Sequence, residues 1–277
     1  MWLGRLLIKN SMVTKEEIIR QLNMLGVPQD KPVIVHTSLK AIGEVAGRAQ
    51  GLLDALIEHV TAKGGLLIVP THTWANFYEK RNPVLDMTSN YTCIGTFSSV
   101  AAADNRGART LNPTHSLCVF GGSEKVKEFV DAELFVDTPT SHHGSYGKIM
   151  DEGMVLLIGV GQEKNTLLHC VEEFLGIKNR LSKTAVPMQI KKKDGEIIEK
   201  DFYYMISDEI EDVSVFFPKY EKAFRYFKCI KDGMVGNAKT QLCDARAMKD
   251  VMTLIHDRSG GVELLSNDKP LDEKLYK

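Results

Sequence analysis

The stretch Gly159-Val-Gly-Gln-Glu-Lys-Asn-Thr-Leu-Leu-His169-Cys-Val-Glu172-Glu173 holds the residues best suited to chemistry. On a helix, His169 and Glu172 are three positions apart and share a face, so the carboxylate can hold one imidazole nitrogen while the other points at a substrate. Such a pairing fixes the imidazole tautomer and strengthens it as a base, which suits removal of a proton from an amine during acyl transfer. The same spacing also makes an ordinary satisfied pair, and spacing alone does not choose between the two. Cys170 adjoins His169, but neighbouring helical positions diverge by about 100°, so thiol and imidazole do not face one substrate and Cys170 reads as buried packing.

Two further segments offer polar groups. His36-Thr37-Ser38-Leu39-Lys40-Ala41-Ile42-Gly43 follows an apolar run; its hydroxyls, backbone amides and lysine can receive a diphosphate or a thioester carbonyl, and equally Thr37 and Ser38 can simply cap a helix. With one glycine it is no Walker loop. In Gly107-Ala-Arg109-Thr-Leu-Asn112-Pro113-Thr114-His115-Ser116, the proline breaks the chain before three polar residues and an apolar strand. His115 reads there as a structural hydrogen-bonder, and His72 in Pro70-Thr-His-Thr-Trp74 as a packed loop residue. His36, His72, His115 and His169 all fall near predicted strand ends, yet no HxH, HExxH or CxxC spacing accompanies them, and His142-His143 is the one close pair. No metal is expected.

The elements that must position these residues follow from periodicity. Thr14 and Glu17 form a capping box for a helix whose apolar period, Ile18, Ile19, Leu22, Leu25, ends at Gly26. Pro32 to His36 is a buried strand, Leu52 to Val60 an amphipathic helix stopped at Gly64-Gly65, and Leu66 to Pro70 a second buried strand. This β-α-β unit implies parallel strands. Between Thr71 and Asn112 only Phe97 to Ala103 reads as helix. Met154 to Ile158 is a third buried strand, breaking at Gly159 before a helix from about Leu167 to Leu175. Alternation from about Val186 to Tyr204 around Lys191-Lys-Lys-Asp194-Gly195 predicts a peripheral β-hairpin. The expected fold is α/β, a central mixed and largely parallel sheet flanked by helices, as one domain over residues 1–277 with a hairpin insertion around 186–204.

The chain has 277 residues, 43% apolar and 26% charged, with 35 basic against 36 acidic side chains. A net charge of −1 gives no field that would draw it to nucleic acid or membrane, so neither is expected as a partner. Five cysteines without a CxxC pair fit a reducing cytoplasm. The apolar residues between Met1 and Lys9 form too short a run for a membrane span and read as local structure.

Taken in order, His36-Thr-Ser-Leu-Lys-Ala-Ile-Gly43, Val69-Pro-Thr-His-Thr-Trp74, Gly95-Thr-Phe-Ser98, Arg109-Thr-Leu-Asn-Pro-Thr-His-Ser116 and Asn165-Thr-Leu-Leu-His-Cys-Val-Glu172 resemble the aminoglycoside N3-acetyltransferases, or antibiotic N-acetyltransferases. Val235-Gly-Asn-Ala-Lys-Thr240 and Asp244-Ala-Arg246 are similar to that family's closing segment, so the likeness covers most of the chain. It implies a fold unrelated to GCN5-type acetyltransferases. It implies direct acetyl transfer from acetyl-CoA to an amine, for that family the 3-amine of 2-deoxystreptamine, without metal or covalent enzyme intermediate. His169 would be the base, Glu172 its orienting partner, and Thr166 near the reacting thioester. Residues 36 to 43, namely His36, Thr37, Ser38, Leu39, Lys40, Ile42 and Gly43, would bind coenzyme A, joined by Thr114, His115 and Ser116. Thr73, Trp74, Tyr146 in a substrate-side loop Gly144-Ser-Tyr-Gly147, and Glu173 would meet the acceptor; Asp86, Asp104 and Glu79 are further carboxylates for a polycation. Asn112-Pro113 and Thr110 depart from the family's usual His-Pro and serine, which leaves a non-antibiotic amine or biosynthetic amino sugar as the alternative acceptor. Oligomeric state, including a homo-oligomer, is left open.

Overall fold

Three runs of β-branched and leucine residues lie side by side at the centre of the protein, seen in a computed structural model that describes residues 12–80, 82–206, 212–261 and 269–277. The apolar run between Met1 and Lys9 lies outside the described residues. The chain passes through α1 (Lys15–Leu25), β1 (Pro32–Thr37), α2 (Leu39–Ile42), α3 (Arg48–Thr61), β2 (Leu66–Pro70), α4 (Trp74–Tyr78), β3 (Leu85–Asp86), α5 (Thr96–Ala103), β4 (Ala108–Arg109) and β5 (Leu117–Phe120). It continues through α6 (Ser123–Asp131), α7 (Ser145–Glu152), β6 (Met154–Ile158), α8 (Leu167–Phe174), β7 (Val186–Lys191), β8 (Ile197–Phe202), α9 (Glu221–Tyr226), β9 (Ile230–Val235), β10 (Ala238–Asp244) and α10 (Ala245–Arg258). Helix α1 begins as its sequence dictates: the Thr14 hydroxyl accepts the Glu17 amide at 3.2 Å, and Gly26 closes the helix in the left-handed region.

The main sheet has seven strands in the order β4-β5-β2-β1-β6-β10-β9. It is mixed, as expected, but parallel pairing is confined to β2, β1 and β6; β5 runs antiparallel to β2, and β10 to both β6 and β9. Short returns join β4 to β5 and β9 to β10, whereas β5 reaches β2, and β10 reaches β6, only across long segments that contain helices. Alternation along the strands divides the core. Val33 and Val35 of β1, Leu67 and Val69 of β2 and Leu156 of β6 pack with Leu22, Leu52 and Leu56. Ile34, Ile68, Val155 and Leu157 face the other way and pack with Ile149, Leu168, Val171, Met248 and Phe217.

The hairpin expected around 186–204 is present as β7 and β8, with Val186 opposite Phe202. It is not isolated: Leu85 and Asp86 add β3 parallel to β7, making a second, three-stranded sheet. The segment from Thr71 to Asn112 is likewise more ordered than its turn-rich composition suggests, since besides α5 it holds α4, β3 and β4. These pieces are two to five residues long, too short for a period to register.

Candidate active site

Topology alone gathers the four histidines. Because β1, β2 and β6 are parallel, their C-terminal ends share one edge of the sheet, and β5, being antiparallel, starts from that same edge. His36 lies in β1, one residue before its end, His72 follows β2, His115 precedes β5, and His169 sits on the helix after β6. The His72 and His115 rings lie 4.6 Å apart. Burial holds His36 down to about 4 and His115 down to about 3, and pushes His72 well below the ordinary imidazole value, with the other histidines adding to the effect on His72. His36, His72 and His115 are therefore neutral near pH 7. Among the described residues no group of three or more His, Cys, Asp or Glu is disposed to hold a metal.

Glycine makes the edge possible. Gly159 takes φ +67 where β6 ends, and a Cβ there would sit 2.4 Å from the Ala41 Cβ, so the chain can cross the 38–42 turn only without a side chain. The 3-10 turn Gln162–Lys164 follows, and α8 then presents His169. His169 Nδ1 and Glu172 Oε2 are 2.8 Å apart. Since a carboxylate only accepts, Nδ1 carries a proton, and in the neutral imidazole Nε2 then holds the lone pair. Glu172 is 1% exposed, and its other oxygen accepts from Arg180 Nε at 2.5 Å. The Phe217 ring packs edge-on against the imidazole, with centroids 4.7 Å apart. Three buried groups thus fix one imidazole in tautomer and direction.

A partly open pocket is lined by His169, Glu172, Glu173 and Arg180 together with Thr140 and Met205. Thr166, at the N-cap of α8 and one turn before His169 on the same face, makes no capping bond with its side chain. Of the carboxylates considered for a cationic acceptor, only Glu173 lines this pocket. Thr138 Oγ1 donates to its Oε1 at 2.6 Å, while Oε2 is buried without a partner among the described residues. Burial, with Asp137 and Glu133 nearby, raises the Glu173 carboxyl to about 7. Asp104 is committed elsewhere, held to about 2 by Arg106, and Asp86 is engaged by Thr88 and Lys191. Glu79 is exposed beyond α4.

The segment from His36 to Gly43 turns at the sheet edge. Ser38 does cap α2, loosely, its hydroxyl accepting the Ala41 amide at 3.4 Å. His36 Nε2 and Thr37 Oγ1 are buried without partners. Leu39 and Gly43 border a groove that also holds Arg48, and Lys40 is exposed. Ile42 keeps its side chain in the core, and its carbonyl accepts the Asn237 amide at 3.0 Å from the β9-β10 turn. Gly43, at φ +95, lies where a Cβ would meet the Asn237 amide group at 2.7 Å.

Thr114, His115 and Ser116 are buried and already bonded. Thr114 Oγ1 meets His115 Nδ1 at 2.9 Å, and Asn112 Oδ1 accepts both backbone amides. Ser116 Oγ donates to the Thr71 carbonyl at 2.7 Å and accepts from Arg109 Nε at 3.0 Å, so it belongs to an internal network. Thr73 is similarly spent on the Pro113 carbonyl at 2.9 Å, whereas Trp74 is 37% exposed at the start of α4. Tyr146 lies on helix α7, not in a loop, and is wholly buried; its hydroxyl donates to the His115 carbonyl and lies 3.1 Å from His72 Nε2, so it braces the histidines from behind. The apolar positions Ile149 and Met150 that follow it explain the helix. Cys170 is buried in the core, its thiol pushed well above the ordinary value. The His142 and His143 rings meet at a 42° tilt with centroids 3.9 Å apart, and the Phe174 ring stands edge-on to His142.

The family model described as aminoglycoside 3-N-acetyltransferase matches residues 34–255. Aminoglycoside N(3)-acetyltransferase IV from Salmonella is 24% identical over 272 residues, spanning 93% of this chain and 96% of that protein. The solved structure of AAC-IIIb in binary complex with CoASH superposes with a TM-score of 0.73 at 19% identity, covering 90% of this chain and 98% of that one. That of AAC-VIa bound to sisomicin gives 0.70 at 22% identity, covering 87% and 96%.

Proposed function

The chain belongs to the aminoglycoside 3-N-acetyltransferase family and is an acyltransferase, and from that premise we propose that it moves an acetyl group from acetyl-CoA directly to an amine, with His169 as general base. The observation that carries this reading is the buried line Arg180–Glu172–His169, which leaves one imidazole nitrogen free at a pocket wall. His169 Nε2 takes a proton from the attacking nitrogen as the N–C bond forms and returns it to sulfur as the C–S bond breaks. Thr166 and Ser38 hydroxyls and backbone amides are the candidate donors to the oxyanion.

Residues 36 to 43 receive the acyl donor. In support, His36 Nε2 and Thr37 Oγ1 are buried polar atoms without partners at that edge, a fit for the amides of a pantetheine chain, and Arg48 beside Gly43 supplies a cation for a diphosphate. Thr114, His115 and Ser116 shape the wall behind. Glu173 and Trp74 meet the acceptor, with Thr73 and Tyr146 supporting them. One acetyltransferase domain over residues 1–277 is supported by two core clusters resting on the two faces of one sheet. Five unpaired cysteines favour a reducing cytoplasm. Among the described residues no helix is long and apolar enough to cross a membrane.

The acceptor is the 3-amine of an aminoglycoside. A second reading keeps the mechanism and changes the acceptor to a non-antibiotic amine or amino sugar. It is favoured by Glu173 being the sole uncommitted carboxylate among the described pocket residues, where a polycation calls for several. His169→Ala is expected to cut thiol release by about 10²–10⁴-fold while coenzyme A binding, read by calorimetry, stays intact. Full turnover in that variant overturns the mechanism. Thiol release over a panel of aminoglycosides and simple amino sugars decides the acceptor.

A further inference from the structure

Acetylating an amine near neutral pH disposes of two protons. An ammonium must lose one before its nitrogen has a lone pair to attack with, and the nitrogen loses another on becoming an amide. The net reaction, ammonium plus thioester to amide, thiol and one free proton, leaves a proton that His169 cannot carry while it shuttles the other to sulfur.

Helix α8 carries two adjacent acids in opposite surroundings. Glu172 has both oxygens engaged, one by His169 Nδ1 and one by Arg180 Nε. Glu173 follows His169 by four positions, so it shares the imidazole's side of the helix and lines the same pocket. One of its oxygens is anchored by Thr138; the other is buried and accepts no hydrogen bond of ordinary geometry, with the Thr140 hydroxyl close to the carboxylate. The groups that face it are Asp137 and Glu133 from the segment between α6 and α7, Thr140, Cys170 on its own helix, and His169, Glu172 and Arg180 around the pocket. Arg180 is spent on Glu172, and no salt bridge reaches Glu173 among the described residues. The raised carboxyl, about 7, matches a group that gains and loses a proton at neutral pH.

We propose that Glu173 is a second catalytic base, which takes the first proton from the acceptor's ammonium while His169 takes the second. This rests on the acyl-transfer reading above. Glu173 Oε2 accepts a proton from the bound ammonium, giving a neutral amine and a carboxylic acid. The amine attacks the thioester carbonyl; His169 Nε2 takes the nitrogen's second proton and delivers it to sulfur as the C–S bond breaks. Glu173 then returns the first proton to water.

The test is Glu173→Gln, which keeps an oxygen for Thr138, assayed by thiol release with 2-deoxystreptamine from pH 6 to 9.5 and with a difluorinated analogue whose amine is largely neutral at pH 7. On 2-deoxystreptamine the variant is expected to lose about 10²-fold in kcat/KM at pH 7, and to recover as pH rises and the amine deprotonates unaided. On the analogue it is expected to approach wild type, while His169→Ala fails on both. A wild-type pH profile in Glu173→Gln, or an equal loss at every pH and on both acceptors, overturns the assignment and leaves acyl transfer standing. A wild-type enzyme that releases no thiol with 2-deoxystreptamine or any other amine overturns both.

Discussion

Arg180 Nε reaches Glu172 Oε1 at 2.5 Å from eight residues further along the chain, while the opposite oxygen of Glu172 meets His169 Nδ1 at 2.8 Å. A carboxylate that is 1% exposed is costly unless its charge is balanced and both oxygens are bonded. The guanidinium balances the charge and bonds one oxygen while the imidazole bonds the other, so the orientation of the imidazole depends on a residue outside the helix that carries it.

Arg180→Leu is expected to lower kcat by about tenfold or more and to cost about 3–5 kcal/mol of stability, because it strands a buried carboxylate. Arg180→Lys should restore part of each, since a lysine returns the charge but not the planar fork. Urea midpoints and thiol-release rates check both. Wild-type values for Arg180→Leu would show that Glu172 orients His169 unaided.

Gly159→Ala introduces a Cβ 2.4 Å from the Ala41 Cβ at a position with φ +67. The expected result is a stability loss of more than about 1 kcal/mol together with weaker coenzyme A binding, because the 38–42 turn must shift to make room. Calorimetry with coenzyme A separates the two effects. Unchanged affinity would mean that the donor does not use this turn.

Cys170→Ser should leave turnover within about twofold, since a thiol that burial holds well above its ordinary value supplies no thiolate at neutral pH. A hydroxyl in that apolar site is expected to cost about 1–3 kcal/mol. Intact-protein mass spectrometry after mixing with acetyl-CoA should show no added acetyl group. Acetylated wild type beside an inactive, unacetylated serine variant would reverse this.

What could be read from the chain was whatever rests on local period and spacing. The three buried strands, α1 with its Thr14 cap, the β7-β8 hairpin and the His169–Glu172 pair all fall within short windows, where side chains alternate or return every turn. Arg180 could not be read, because nothing in Gly176-Ile-Lys-Asn-Arg180 distinguishes an arginine bound for Glu172 from a solvated one. The family likeness implies a loop at Tyr146, yet Gly147 lies where a Cβ would strike the His142 carbonyl at 1.9 Å, and close packing of α7 is what it serves. The antiparallel direction of β5 is likewise set by pairing with β2 across 45 or more residues and not by its own four. That pairing is what brings His115 to the histidine edge.

Glu173→Gln carries a second expectation, in stability. The folded protein raises this carboxyl from 4.5 to about 7, so the native state favours its protonated form. The stability this group contributes is complete below its ordinary value and is lost as pH rises through about 7, where the unfolded chain ionises more readily. Glutamine does not ionise. The variant should therefore match wild type at about pH 4 and below, and exceed it at pH 8 by up to about 3 kcal/mol, the equivalent of that shift. Urea midpoints at the two pH values measure it. A gain in stability at pH 8 coupled to lost turnover on ordinary amines would mark Glu173 as a charge the fold tolerates for chemistry. Equal midpoints at both pH values would mean that the carboxylate ionises without penalty and is no better placed than a surface acid to take a proton from an ammonium.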